Sequence, residues 1–437
     1  MVVFAAVIAA VTVAAGIAFR RPASLIVFLL SVAAILRFES DIGETIGGSS
    51  NLSSIWLLAL ILCCFVALPK LGIFRSHLTT PEEIYLVFLA WCGFEATIAD
   101  DFAFALRMYL KLLYPLLTML LARAAMESVP SVTQLLRWVM GVSVIAYVLL
   151  GGLTIHFAPA VLLAAGPFCW PGGAFADYAA LMAVTALVCW RLFRKWWYLG
   201  LAFILGSNCL LVNVRTGLLA TAVGVSFFIL LEFRHKALPL LIGMYFAIAL
   251  ALVAVPGLRD KTFKDSRDVD FYKVAAEPST IDVDSIDSSG RFAMWKTVMD
   301  KFFWPSPLTG SGLGATQTWF YHGNYFGLMV EHSEYVRLLA DTGIVGLGLY
   351  LLTVFISMKT LWGIYHSASH PVARYLSLLG LSIFPAYLVC MGFDNVLNYV
   401  LPAEQFPFAF TGAAIGLQQA LKRSQWSHYT DDKHSDW

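Results

Sequence analysis

The chain has 437 residues, of which 59% are hydrophobic and only 13% charged, with a formal net charge of +1. Soluble domains run near about a quarter charged, so a chain this apolar has to face lipid, and its balanced charge leaves no electrostatic footprint for nucleic acid. Seven cysteines are present, but no CxxC and no Cys/His cluster, so neither a disulfide framework nor a zinc site is indicated.

In hydrocarbon every backbone polar group must be satisfied internally, so the apolar runs are expected to be helices of roughly 17–25 residues. In chain order they fall near 2–19, 23–37, 53–69, 83–99, 103–123, 136–156, 173–190, 197–214, 217–233, 237–256, 343–359, 375–393 and 404–421. The first run lacks a charged leader and is followed by Arg20 and Arg21, so it reads as a retained span. The 23–37 run is short, and 103–123 carries Arg107 and Lys111 four residues apart on one helical face. That pair faces an internal anionic cavity, or the segment is a tilted interfacial helix. The fold class expected is all-α, a polytopic transmembrane bundle of twelve or thirteen spans with a large, partly helical periplasmic loop. Its parts are 1–256 (an N-terminal bundle of about ten spans), the loop 257–342, C-terminal spans over 343–421, and a cytoplasmic tail 422–437.

Basic residues set the orientation. One set of alternate connections holds Arg20, Arg21, Lys70, Arg75, Arg123, Arg137, Arg191, Arg194, Lys195, Arg234, Lys236, Lys359, Arg374, Lys422, Arg423 and Lys433. The opposite short connections hold only Arg37 and Arg215, so the loop 257–342 is external. Within it, 259–289 is acid-rich, and Asp282, Asp284 and Asp287 imitate part of a calcium loop without its glycine or closing glutamate. From Arg291 to Phe303 an amphipathic helix is expected, its apolar face made by Phe292, Trp295, Val298, Met299 and Phe302, suited to the headgroup layer. Gly310, Gly312 and Gly314 form a turn that lacks the lysine and the preceding strand of a phosphate-binding loop. A helix over Ser333–Asp341 should end at Gly343 and run into the next span.

Several residues are placed for chemistry. His332 precedes the expected N-cap Ser333 and stands beside Glu331 and Glu334, where it accepts or positions a proton, or serves as a structural loop histidine. Arg215, between two apolar runs on the arginine-poor side, either snorkels to the headgroups or binds an anion. Arg291 and Arg337 are open to the same two readings. A guanidinium engages two phosphate oxygens at once, which favours phosphate among anions.

The order Gly290-Arg291 with Trp295, then Pro307-Leu308-Thr309-Gly310-Ser311-Gly312-Leu313-Gly314, then His332-Ser333-Glu334 through Arg337 to Gly343 and Gly346 resembles the O-antigen ligase and O-antigen polymerase superfamily of GT-C-like membrane glycosyltransferases. The turn Val214-Arg215-Thr216-Gly217 matches the family's arginine turn, and the resemblance spans about 205–355. Val214 and Ser333 depart from the commoner serine and asparagine, without removing a charge. The resemblance implies a metal-independent, inverting glycosyltransferase of the bacterial inner membrane with its site facing the periplasm. Its donor would be a glycan on undecaprenyl pyrophosphate, and its acceptor a glycan or lipid A–core. Catalysis would fall to His332, the pyrophosphate to Arg215 and Arg291, and support to Arg337 and Glu334, with no cofactor, metal or nucleic acid. A repeat-unit polymerase, working with a chain-length regulator, is the first reading; a ligase onto lipid A–core shares every residue. A lipid-glycan transporter is the alternative of another class, although the conspicuous charges cluster at one face and no pseudo-repeat is visible.

Overall fold

The computed structural model describes residues 2–36, 52–147, 172–211, 214–254, 291–322, 331–398 and 400–434. The acidic stretch 259–289, Arg37 and Cys169 lie outside the described residues, as do 148–156 of the sixth expected span and 323–326 of the aromatic stretch that begins at Trp319.

Each expected span has a helix. They are α1 (Val2–Arg20), α2 (Pro22–Phe28, extended by a π turn over Leu29–Ala33), α3 (Leu52–Lys70), α4 (Thr80–Thr97), α5 (Phe102–Ala125), α6 (Val129–Ala146) and α7 (Gly172–Phe193). They continue with α8 (Trp197–Leu211), α9 (Arg215–Phe233), α10 (Ala237–Ala254), α11 (Arg291–Val298), α12 (Ala315–Tyr321), α13 (Glu334–Ser367), α14 (Pro371–Phe393) and α15 (Gln405–His434). Among the described residues six helical stretches are long and apolar enough to cross a membrane, and no strand occurs. The all-α helical bundle is therefore the architecture.

The packing follows from where small residues lie. Gly412 and Gly416, one turn apart on α15, bring that helix against the backbone of α5 at Met119 and Arg123, where a β-carbon would not fit. Every side chain from Ala174 to Ala186 on α7, and from Leu376 to Tyr387 on α14, is buried, so these two helices form the centre with α15.

Register gives the bundle two poles. At one, Glu232 on α9 meets Arg191 of α7 and accepts from Tyr375 Oη on α14 (3.3 Å). Midway, Gly224 abuts Val184, Ser382 and Ala386. At the other, Leu218 packs on Ala176, and Asp177 lies beside Cys390 and Asp394. Thus α7 and α9 run parallel, and α14 antiparallel to both. The first pole also joins Lys70 to the Phe19 carbonyl (2.8 Å), Arg123 to Glu82 (2.7 Å) and Arg423 to Glu127 (2.6 Å). The basic connections read from the sequence gather there. The second pole carries Arg215, α11, α12 and the start of α13.

The amphipathic segment keeps most of its expected apolar face, with Val298 buried and Trp295 and Phe302 packed against the same cluster. Helix α11 gives way to a π turn over Met299–Phe303, whose wider turn rotates the following side chains. Met294, Val298 and Phe303 are buried, and the first two pack with Phe320 and Ala340, whereas Phe292, expected on the apolar face, is exposed. The face is covered by α12 and α13 and is not left free for headgroups.

Candidate functional site

His332 opens the second pole. Its φ of +51° is a left-handed conformation that an L side chain adopts at a cost of about 1–2 kcal/mol. The turn delivers the chain into α13, whose N-cap is Ser333, accepting from Val336 N. The cap and its position are as read from sequence. Gly343 has φ +68° and ψ −172°, breaking α13 into a short helix and a longer one, as its expected capping role requires. A β-carbon there would strike the Leu308 carbonyl.

One guanidinium donor of Arg291, Nη1, reaches the Phe393 carbonyl at 2.9 Å, at the C-terminal end of α14. That end carries negative partial charge, which suits a cation. Directly after it, Asp394 Oδ1 lies 3.8 Å and Asn395 Nδ2 3.4 Å from His332 Nδ1. The structure therefore brings Arg291 and His332 together around the turn Phe393–Asn395. Four residues along α11, Trp295 Nε1 donates to the Glu331 carbonyl at 2.8 Å, so one helix face fixes the cation and the residue preceding His332. Arg215 begins α9, whose N-terminus has no side-chain cap, and the helix register sets it at the same pole. Its backbone N–H groups and its guanidinium both favour an anion there.

Arg337 and Glu334 are placed differently. Both are buried at 3% and 2% exposure, and they pair with each other. Glu331 Oε1 lies 3.4 Å from Arg337 Nε, and burial pushes the Glu331 carboxyl up to about 8 against the pull of Arg337. The free oxygen of Glu334, Oε1, accepts from Leu397 N at 2.8 Å. This triad thus ties the start of α13 to the turn that faces His332. A further acid, Asp341, accepts from Gly314 N (2.9 Å), Thr316 N (3.0 Å) and Thr316 Oγ1 (2.8 Å). It clamps the glycine turn, whose N–H groups are consumed by protein acceptors.

Sequence reasoning missed Asp394, Asn395 and Asp177. The available signal was an acid at the end of an apolar run, since ionisable groups at a membrane span seldom lack a role. Among the described residues no group of side chains is arranged to hold a metal ion.

The arrangement offers an imidazole whose Nδ1 has the Asn395 amide at 3.4 Å and the Asp394 carboxylate at 3.8 Å, with guanidinium groups at helix ends of the same pole. It can bind an anion and move a proton. Residues 200–351 match the family model described as O-antigen ligase, a segment that includes Arg215, Arg291, His332, Glu334 and Arg337 and stops short of Asp394. No curated protein matches the chain. The segment carrying the two arginines and the histidine is similar to the O-antigen ligase family, and this match supports the superfamily of O-antigen ligases and polymerases.

Proposed function

We propose that the chain is an inverting membrane glycosyltransferase that polymerises repeat units of an exopolysaccharide or O-antigen. The donor is a glycan on undecaprenyl pyrophosphate, and the acceptor is a sugar hydroxyl of a second glycan. The pole of basic connections lies in the cytoplasm by the positive-inside bias, so the pole of His332 opens to the periplasm at the inner membrane. The observation that carries the reading is Arg291 and His332 meeting on the two sides of the Phe393–Asn395 turn.

In the reaction the acceptor oxygen attacks the anomeric carbon, the bond from that carbon to the pyrophosphate oxygen breaks, and configuration inverts. Arg215 and Arg291 hold the departing diphosphate and offset its growing charge, as preorganised donors do where charge develops. His332 Nε2 takes the hydroxyl proton, with Asp394 behind Nδ1 to orient the ring and balance its charge. Asp394 is a positioning residue. Neither step calls for a metal, because the guanidinium pair supplies the positive charge.

The test is turnover of lipid-linked glycan by the purified protein in liposomes. His332→Ala should lose about 10²–10⁴ in rate and Arg215→Ala about 10²–10³, with both variants still folded. Wild-type rates in both would defeat the assignment. A gene disruption separates the two acceptors. Glycan capped at one repeat unit marks a polymerase, whereas long polymer stranded on lipid marks a ligase onto lipid A–core.

A further inference from the structure

The site just described leaves two cations of the second pole unused. Arg107 and Lys111, one helical turn apart on α5, are both partly exposed. Among the described residues neither forms an ion pair with a carboxylate. The Arg107 guanidinium sits 4.9 Å over the Phe104 ring, and Asp101 nearby is occupied as the N-cap of α5, accepting from Phe104 N. Lys111 Nζ donates to a neutral amide, Asn398 Oδ1, at 2.5 Å. Glu334 and Glu331, whose charges act on Lys111, are both engaged by Arg337. Two cations at the edge of a membrane bundle, with no carboxylate paired to either among the described residues, present positive charge to an arriving anion.

Opposite them stands α12. Gln317 Nε2 approaches the same Asn398 oxygen at 3.4 Å, and Tyr321, one turn on, packs its ring 5.8 Å from Phe104. The wall is therefore Arg107 and Lys111 from α5, Gln317 and Tyr321 from α12, and Asn398 from the turn after α14. That turn has two sides. Asn395 touches His332, and three residues later Asn398, whose N–H donates to the Asn395 carbonyl at 3.0 Å, touches Lys111. An anion at Arg107 and Lys111 would lie across one short turn from the proton-accepting group, separate from Arg291.

We propose that Arg107, Lys111 and Gln317 form a second anion subsite, which holds a phosphoryl group of the acceptor while Arg215 and Arg291 hold that of the donor. The inference rests on the glycosyl-transfer reading. It requires that the chain bind two phosphorylated substrates at once. Guanidinium and ammonium side by side suit phosphoryl oxygens, and Gln317 adds a neutral donor able to reach a bridging or sugar oxygen. Phosphoryl groups come from two sources here, the diphosphate of a second lipid-linked glycan or the phosphates of lipid A–core.

The experiment is native mass spectrometry of the full chain in nanodiscs, titrated with undecaprenyl diphosphate, with phosphorylated lipid A–core, and with undecaprenol as a control for the tail. Wild type should retain two diphosphate lipids, or one plus one lipid A–core if that is the acceptor. The Arg107→Ala/Lys111→Ala variant should retain one phosphorylated lipid. Arg107→Lys with Lys111→Arg should keep two, which separates lost charge from a damaged fold. For acceptor turnover, the preference for lipid-diphosphate glycan over the same glycan without phosphate should fall about 10–100-fold in the alanine variant. One phosphorylated lipid on wild type, or two retained by the alanine variant, would overturn the proposal. The underlying reading fails separately, if Arg215→Ala/Arg291→Ala still binds as many phosphorylated lipids as wild type.

Discussion

Replacing Arg337 with glutamine should unfold the site without touching substrate. The guanidinium is 3% exposed, pairs with Glu334 and lies 3.4 Å from Glu331, so its removal strips the buried Glu334 carboxylate of the cation paired to it. Breaking a buried ion pair from one side costs about 3–5 kcal/mol. Glu334 would then turn toward water and release Leu397 N, now held at 2.8 Å, leaving a buried donor unmade at about 1–3 kcal/mol. Thermal melting of the detergent-solubilised protein, read beside turnover, should show both falling together for Arg337→Gln. His332→Ala should instead melt like wild type and lose only turnover. A variant that neutralises the whole cluster (Arg337→Met, Glu331→Gln, Glu334→Gln) should recover part of the melting temperature, because no charge is left stranded. If Arg337→Gln melted as wild type does and yet had no activity, the guanidinium would have to act on substrate, and the structural account would be refuted.

Two further outcomes follow from the same pole. Asp394→Asn keeps the shape of the turn while removing the charge 3.8 Å from His332 Nδ1, so kcat should fall about 10–100-fold with the donor KM unchanged, a split visible in steady-state kinetics. Glu331 has its carboxyl raised from 4.5 to about 8, so the folded state keeps a proton that the unfolded chain releases. That contribution to stability is complete below 4.5 and is lost as pH rises through about 8. Melting temperature should therefore decline across this window in wild type, and Glu331→Gln should flatten the decline; an unchanged slope would count against the assignment.

The spans were legible because lipid leaves the backbone one solution, a helix, and so the length of an apolar run predicts the element. The entry to α13 was equally legible, since Ser333 and Gly343 encode a cap and a break through their own side chains. The burial of Arg337 was not. Its partner Glu334 is three residues away, but the Leu397 N–H that holds Glu334 in place comes from 63 residues on. Lys111 meets Asn398 across 287 residues of chain. Such pairs depend on the relative register of helices, which no local pattern records.

The backbone itself contributes to the preference of this pole for anions. His332 stands at the N-terminus of α13 and Arg215 at that of α9, and a helix N-terminus carries positive partial charge. The one helix of the central bundle that ends here, α14, presents the opposite partial charge, and Arg291 covers its last carbonyl at 2.9 Å. Without Arg291 that carbonyl would repel a diphosphate approaching the other two ends. On the proposed reading the arginine would act twice, cancelling a repulsive dipole and offering its remaining donors to the diphosphate. Lysine at 291 could do the first with a single ammonium, but it could not hold the Phe393 carbonyl and present a planar pair of donors together.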